Sequence, residues 1–374
     1  MVSARHGPVF ARILVVPATR DGLGPFYQDV IAVSPLEPWD AASAAYRLDV
    51  LARTLPFPVR GARLVPSNNN DVWRLETGFL RVAWRGDRSR LAREAELLGR
   101  LQGFLPVPEV LDGGGDDRLS WSLTAGMPGA AYEHLCVQPA PPRLRDLARE
   151  VAALLRALHS WSVPGDLADL LRHPGEDPDP LRRAGSELVL MPPSAALGLI
   201  PLARQLPFVD HGVLDAAGER LAELGDLTTA DGAVLLHGDF YLGNALIQGD
   251  HVSALIDLEF ARMGPRDLEL ISVVRALDAE TRLGIQRPPL LAWLAEDYPE
   301  LFGVADLHRR LWQYALAYTI RQIIFWPPDR AEADDLSATH LEAPDRRPAA
   351  TVRRGPVLDK PLTIGTPGWS AWRK

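Results

Sequence analysis

The sequence predicts an α+β protein of two lobes, a small antiparallel-sheet lobe followed by a larger helical one. Three observations carry this. Short strand-like runs separated by turn residues fill residues 63–84 and 107–124, whereas apolar residues at helical spacing dominate from Leu144 onward. The charge also changes sign along the chain: residues 46–159 hold 16 Arg against 13 Asp and Glu, and residues 160–329 hold 13 Arg against 25. At 374 residues the chain exceeds the roughly 250 residues that one core usually serves, as a bilobal unit requires. The boundaries expected are an N-terminal extension over 1–45, a first lobe over 46–128, a second lobe over 129–326 and a Pro-rich, disordered tail over 327–374.

Residues 1–45 show little periodicity, with Pro17, Pro25, Pro35 and Pro38 interrupting the runs Arg12–Val16 and Val30–Val33. From Arg63 to Trp84 the chain reads as strand, Asn-rich turn, strand, turn at Thr77-Gly78, strand. Asp87 to Gln102 is expected to be helical, because Leu91, Ala95, Leu98 and Leu101 recur at spacings of three and four and Gly103 follows. Val107–Leu111 and Leu119–Thr124 read as two more strands around a Gly-Gly-Gly-Asp-Asp turn, and Gly126-Met-Pro-Gly129 then breaks the chain at a lobe hinge. Helices are expected over Leu144–His159, Ala196–Leu224, Leu268–Leu283, Pro289–Asp297 and Val304–Trp326, with a hairpin near 245–257. Trp312, Tyr314, Tyr318 and Trp326 read as a buried helix face rather than a ligand cage. No internal repeat is present.

The composition narrows the partners. A net charge of −8 disfavours a nucleic-acid binder, which grips phosphates with clustered Lys and Arg. No apolar run approaches the ~20 residues of a membrane-spanning helix, so no membrane role is expected. The run Ile13–Val16 before Pro17 is too short for a secretory leader, and cytoplasmic residence is the expectation. The one cysteine, Cys136, forms no intrachain disulfide and no cysteine-rich metal site.

The segment that carries chemistry is Leu235-Leu-His-Gly-Asp-Phe-Tyr-Leu-Gly-Asn-Ala-Leu-Ile247, a turn at Gly249-Asp250, and Val252-Ser-Ala-Leu-Ile-Asp-Leu-Glu-Phe260. Phosphoryl transfer needs a carboxylate to orient and deprotonate an attacking hydroxyl, and oxygen ligands for the magnesium that neutralises the phosphates. A catalytic-loop Asp followed five residues later by a magnesium-binding Asn, with a second Asp across a short hairpin, supplies these groups. Asp239, Asn244 and Asp257 have that spacing. The expectation is Asp239 as base and Asn244 and Asp257 as Mg2+ ligands, with ATP or GTP as co-substrate.

These residues resemble the aminoglycoside phosphotransferase and choline-kinase-like family, whose signature is His-x-Asp-x-x-x-x-Asn followed by Ile-Asp-x-Glu. The match falls on His237, Asp239, Asn244, Ile256, Asp257 and Glu259, and Gly264-Pro-Arg-Asp-Leu268 looks like the family's next element. There Asp267 is expected to anchor the loop rather than to do chemistry. A weaker likeness runs through Ser67–Trp73, Phe79–Val82, Arg93-Glu94 and Met127–Gly129, so that it covers roughly residues 60–326. The resemblance implies a protein-kinase-like fold and a hydroxyl-bearing small molecule as acceptor: an amino sugar, an antibiotic or a related metabolite. It also implies that a basic residue on the third strand contacts nucleotide phosphates and pairs with a helix Glu, places held here by Arg81 and Glu94. Both lysines, Lys360 and Lys374, lie in the tail, so a strand cation of the first lobe has to be Arg. At ~100° per residue Glu94 falls within the Leu91, Leu98, Leu101 stripe, and an inward carboxylate wants a cation.

Ser67–Asp71 departs from the Gly-x-Gly-x-x-Gly loop of protein kinases, which makes a protein substrate the weaker reading. Arg at position 81 presents a planar fork where a lysine presents a point charge. His237 reads as a brace of the loop, and Glu259 reads equally as a magnesium ligand, a contact to a cationic substrate or a structural contact. The acidic second lobe is either an ordinary solvated surface or a mild preference for a cationic acceptor. Two rivals are a catalytically silent nucleotide-binding regulatory module and a metal-dependent hydrolase built on His237 and Asp239, the second lacking any further His cluster.

Overall fold

The computed structural model describes residues 44–65, 67, 70–83, 89–116, 119–131, 144–171, 193–206, 209–225, 227, 232–274 and 290–325. The expectations for residues 1–43, for the tail 327–374, for Cys136 and for Trp326 lie outside these.

The first lobe is a five-stranded antiparallel sheet built from β1 (Arg63–Val65), β2 (Asp71–Arg74), β3 (Gly78–Ala83), β4 (Val110–Gly115) and β5 (Ser120–Ala125), in the order β1-β2-β3-β5-β4. Side chains alternate across a strand, and this decides what each face does. Leu80 and Val82 of β3, with Trp121 and Leu123 paired beside them on β5, form one buried face together with Trp73. Helix α1 (Ala44–Thr54), which the sequence reading did not foresee, covers that face through Leu51. Arg81, one residue out of phase, projects from the opposite face. Helix α2 (Ser89–Leu101) lies there and buries Leu91, Glu94, Leu98 and Leu101 of the expected stripe together with Arg90 and Leu97, whereas Ala95 is half-buried.

The expected Gly-Gly-Gly-Asp-Asp turn is corrected. Gly113–Gly115 belong to β4, and the turn is closed by Asp116, whose Oδ1 accepts the Leu119 N–H at 3.0 Å. Glycine suits the strand because a Cβ on Gly115 would lie 2.8 Å from the Leu119 carbonyl oxygen, and one on Gly114 would press at 3.1 Å on the Trp121 indole.

The segment 126–129 joins β5 to β6 (Ala130–Ala131), which pairs with the second lobe: Ala130 opposes Ile247 and Ala131 opposes Leu246. Helices α3 (Leu144–Ser160) and α4 (Gly165–Leu170) follow. The helix expected over Ala196–Leu224 is two, α5 (Pro193–Ala203) and α6 (His211–Leu224). The second helix is started by Asp210, whose carboxylate accepts the Gly212 N–H at 2.8 Å. Strand β7 (Val234–Leu236) pairs with β10 (Arg262–Gly264), and β8 (Ala245–Gln248) with β9 (His251–Leu255), the expected hairpin. A 3-10 turn over Arg266–Glu269 then leads into helical residues 270–274.

Helices α7 (Leu290–Asp297) and α8 (Leu307–Phe325) complete the described chain. Helix α8 is apolar on two sides because it joins two cores. Leu311, Tyr314 and Ala315 pack into the cluster beneath the β7–β10 strands, and Trp312, Leu316 and Ile320 pack against α5 and α6. Trp312 and Tyr314 are thus core residues, as expected. No helix among the described residues is long and apolar enough to cross a membrane.

Candidate functional site

The chemistry-bearing segment is folded by three fixed points. Leu235 and Leu236 of β7 are fully buried, so the chain that leaves the strand at His237 starts from a rigid base. Gly238 then turns at φ +85, pressed so closely on the 3-10 turn Leu258–Phe260 before β10 that a Cβ would sit 2.0 Å from the Phe260 carbonyl oxygen. The 3-10 turn Leu242–Asn244 follows and feeds β8. The β8–β9 hairpin folds the chain back, and the Ile256 N–H donates to the Asn244 carbonyl at 3.0 Å. Asp257, the next residue, sits in the left-handed region at φ 65, a conformation a short polar side chain tolerates.

Hydrogen bonds tie the loop that carries Asp239 and Asn244 to the residue before Asp257. Asn244 Nδ2 donates to the Asp239 carbonyl at 2.9 Å, which fixes the amide and leaves its Oδ1 without a hydrogen bond among the described residues. His237 Nε2 donates to the Ile256 carbonyl at 3.0 Å, an assignment made from the acceptor it faces, and so ties the start of the loop to the residue before Asp257. Its Nδ1 is buried with no hydrogen-bond partner among the described residues.

The loop's carboxylate anchor is Glu269, not Asp267. Glu269 accepts the His237 N–H at 2.7 Å and the Gly238 N–H at 2.9 Å, and His159 Nε2 lies 3.2 Å from it. His159 in turn meets the Tyr298 hydroxyl at 3.0 Å. Burial alone would raise the Glu269 carboxyl, but His159 and the N–H donors outweigh it and hold the group below the usual carboxylate range. Asp267 is instead bound by Arg310 of α8 at 2.7 and 2.8 Å and by the Tyr314 hydroxyl at 3.1 Å. Two residues of offset in a 3-10 turn point the two acids to different sides, so the motif's Asp braces α8 and the following Glu holds the loop.

Across the cleft Arg81 reaches three carboxylates. Its Nη1 pairs closely with Glu94 of α2, and its Nη2 lies 2.6 Å from Asp257 Oδ1 and 2.9 Å from Glu259 Oε2. Glu259 also accepts Arg90 Nε at 3.0 Å and Asn70 Nδ2 at 2.6 Å. The cluster thus sets the acids Glu94, Asp257 and Glu259 against the guanidiniums of Arg81 and Arg90, and the shortage of positive charge falls unevenly. Glu259, next to both cations, is held below its usual range despite burial. Glu94 is pushed up to about 7 by burial, which Arg81 only partly offsets. Burial, with Glu259 nearby, also raises Asp257.

A hard divalent cation fits this arrangement. Asn244 Oδ1 and Asp257 Oδ2 are oxygens that accept no hydrogen bond among the described residues, beside a cluster short of positive charge. Magnesium takes such oxygens and keeps several waters. Among the described residues no group of three or more His, Cys, Asp or Glu side chains could hold a metal, which leaves the zinc-hydrolase arrangement without its ligands there.

The sequence reading missed Asn70, Arg90, Glu269 and His159. Arg90 carried a signal, standing four residues before Glu94 on the same inward stripe. Asn70 was visible only as one of three turn asparagines, and nothing local marks His159.

No curated protein matches the chain. Among solved structures, the ADP-bound aminoglycoside phosphotransferase APH(2'')-Ib is similar over 79% of this chain and 96% of its own, at 18% identity and a TM-score of 0.52. A choline/ethanolamine kinase family protein from Mesorhizobium loti is similar over 79% of this chain and 92% of its own, at 18% identity and a TM-score of 0.50. At that identity these likenesses speak for the fold, the kinase-like bilobal arrangement. The model of the phosphotransferase enzyme family matches residues 61–313, from β1 through the first third of α8, and so the chain belongs to the phosphotransferase enzyme family.

Proposed function

We propose that the protein is a small-molecule kinase that transfers the terminal phosphate of ATP or GTP to a hydroxyl of an amino sugar, an antibiotic or a related metabolite in the cytoplasm. The observation that carries the reading is that the loop bearing Asp239 and Asn244 is bonded to the residue before Asp257, whose carboxylate Arg81 meets at 2.6 Å. Asp239, half-buried at the cleft, orients the acceptor hydroxyl and takes its proton as that oxygen bonds to the terminal phosphorus. The bond from that phosphorus to its bridging oxygen breaks, and the electron pair leaves with the nucleoside diphosphate. Asn244 Oδ1 and Asp257 would hold Mg2+, whose charge neutralises the phosphates. Arg81, kept in place by Glu94, steadies the phosphates, and the fixed geometry of these groups stabilises charge without reorganising.

The acidic balance of residues 160–329 supports an acceptor that bears amino or ammonium groups, as the compounds naming both similar structures do. A second reading, a regulatory module that holds nucleotide without turnover, draws on the Arg81–Asp257 pair, which engages the carboxylate meant for the metal. One assay separates them: phosphate transfer from ATP and GTP with magnesium to a panel of aminoglycosides, other antibiotics, amino alcohols and sugars. Transfer to one class of acceptor is expected. Tight nucleotide binding with no transfer to any of them would favour the module.

A further inference from the structure

Asn70, Arg90 and Glu259 close a triangle across the two lobes. Asn70 comes from the turn between β1 and β2, Arg90 from the first turn of α2, and Glu259 from the turn after β9, so 189 residues separate Asn70 from Glu259. Glu259 Oε2 accepts Asn70 Nδ2 at 2.6 Å and Arg90 Nε at 3.0 Å, and Arg90 Nη2 closes the ring on Asn70 Oδ1 at 2.5 Å. All three residues are at most 3% exposed. The same Oε2 lies 2.9 Å from Arg81 Nη2. A buried carboxylate with that many donors on one oxygen is committed to them, because each bond it gave up would leave a buried polar group unpaired.

Resting on the kinase reading above, we propose that Glu259 is a positioning residue rather than a metal ligand. It clasps Asn70, immediately before β2, and the start of α2 to the acid-bearing turn of the second lobe, and through this clasp sets Arg81 against the nucleotide phosphates. The geometry gives each member a distinct task. Asn70 ties the head of β2 to that turn. Arg90 supplies a second cation to Glu259, so that Arg81 is shared among Glu94, Asp257 and Glu259 rather than taken up by Glu259 alone. Glu259 Oε1, buried and without a hydrogen-bond partner among the described residues, is the atom a metal-ligand role would use.

The test compares full-length wild type with Glu259→Gln, Arg90→Gln and Asn70→Ala. Titration calorimetry measures ATP and GTP with magnesium and again in EDTA, alongside adenosine and guanosine; amide exchange is followed in the ligand-free proteins. The clasp predicts that every variant binds the triphosphate at least tenfold more weakly, with and without magnesium, while nucleoside affinity stays within twofold. It also predicts at least tenfold faster exchange over residues 70–74 and 90–94. A Glu259→Gln defect seen only with magnesium, with Arg90→Gln and Asn70→Ala binding like wild type, would overturn the proposal in favour of a metal ligand. Equal losses for nucleoside and triphosphate would reduce it to packing. Should Glu259→Gln fail to fold, Asn70→Ala, which removes one donor, carries the same comparison. Wild type that binds neither nucleotide sinks the kinase reading and the phosphate role with it, whereas normal nucleotide binding with unchanged exchange in the variants sinks the clasp alone.

Discussion

The guanidinium of Arg81 and the carboxylate of Asp257 meet at 2.6 Å although 176 residues of chain separate them. One strand cation thereby joins the sheet lobe to the acid turn of the helical lobe. Arg81→Met leaves Glu94, Asp257 and Glu259 without it. Removing one partner from such a buried pair costs about 3–5 kcal/mol, which denaturant unfolding reads directly. Arg81→Lys retains the charge but cannot reach Glu94 with one nitrogen and Asp257 with another, so it should fold with a smaller loss and bind nucleotide more weakly. Equal stability and affinity in the two variants would show that charge alone matters.

Glu94 makes stability depend on pH with a definite sign. Burial pushes its pKa up to about 7, whereas the unfolded chain titrates it near 4.5. Between these values the folded state holds a proton that the unfolded state has released, so stability falls as pH rises through the window. The contribution is complete below the unfolded value and gone above the folded one, a difference on the order of 2–3 kcal/mol. Unfolding free energies at pH 5 and pH 8 for wild type and Glu94→Gln test it. Wild type should lose more on going to pH 8, and parallel losses would contradict the assignment.

Glu269 and Asp267 should separate in their effects although two positions apart. Glu269→Ala leaves the His237 and Gly238 N–H groups and His159 Nε2 unpaired, at about 1–3 kcal/mol each. It also frees the loop that carries Asp239, so phosphate transfer per folded molecule should fall by roughly tenfold or more. Asp267→Asn weakens the contact to Arg310 on α8 and should lower the melting temperature while turnover per folded molecule stays near wild type. The reverse pattern would return the loop-anchoring role to Asp267.

Gly238→Ala tests the close approach behind the loop. The residue sits at φ +85, and a Cβ would stand 2.0 Å from the Phe260 carbonyl oxygen, so either the loop or β10's lead-in has to move. A cost of at least ~2–3 kcal/mol is expected, with transfer activity lost. A variant with wild-type melting and activity would show that the backbone relaxes freely there.

Much of this was legible in the sequence because its signals are local. The period of two in Phe79–Val82 set Arg81 apart from Leu80 and Val82, and the helical stripe through Leu91 and Leu98 turned Glu94 inward toward it. The interval from Asp239 to Asn244 and the following hairpin fixed how the acids could meet. Contacts between distant segments had no such signal. Glu259 could be placed in the motif, yet its partners Asn70 and Arg90 depend on how the lobes dock. His159 meets the loop through Glu269 only because α3 crosses beneath it. The glycines of β4 read as a turn because what they make room for, the Trp121 ring at Gly114 and the Leu119 carbonyl at Gly115, lies across the pairing and not in their own segment.

The central claim is that Asp239 takes the proton of the attacking hydroxyl while Asn244 and Asp257 serve the metal. Its most direct test is Asp239→Asn, assayed with an accepted acceptor in single-turnover phosphate transfer, with Mg-nucleotide affinity measured on the same preparation. The account predicts a transfer rate down by about 10²-fold or more with nucleotide affinity near wild type, as loss of a general base requires. A variant that transfers phosphate at the wild-type rate would contradict it.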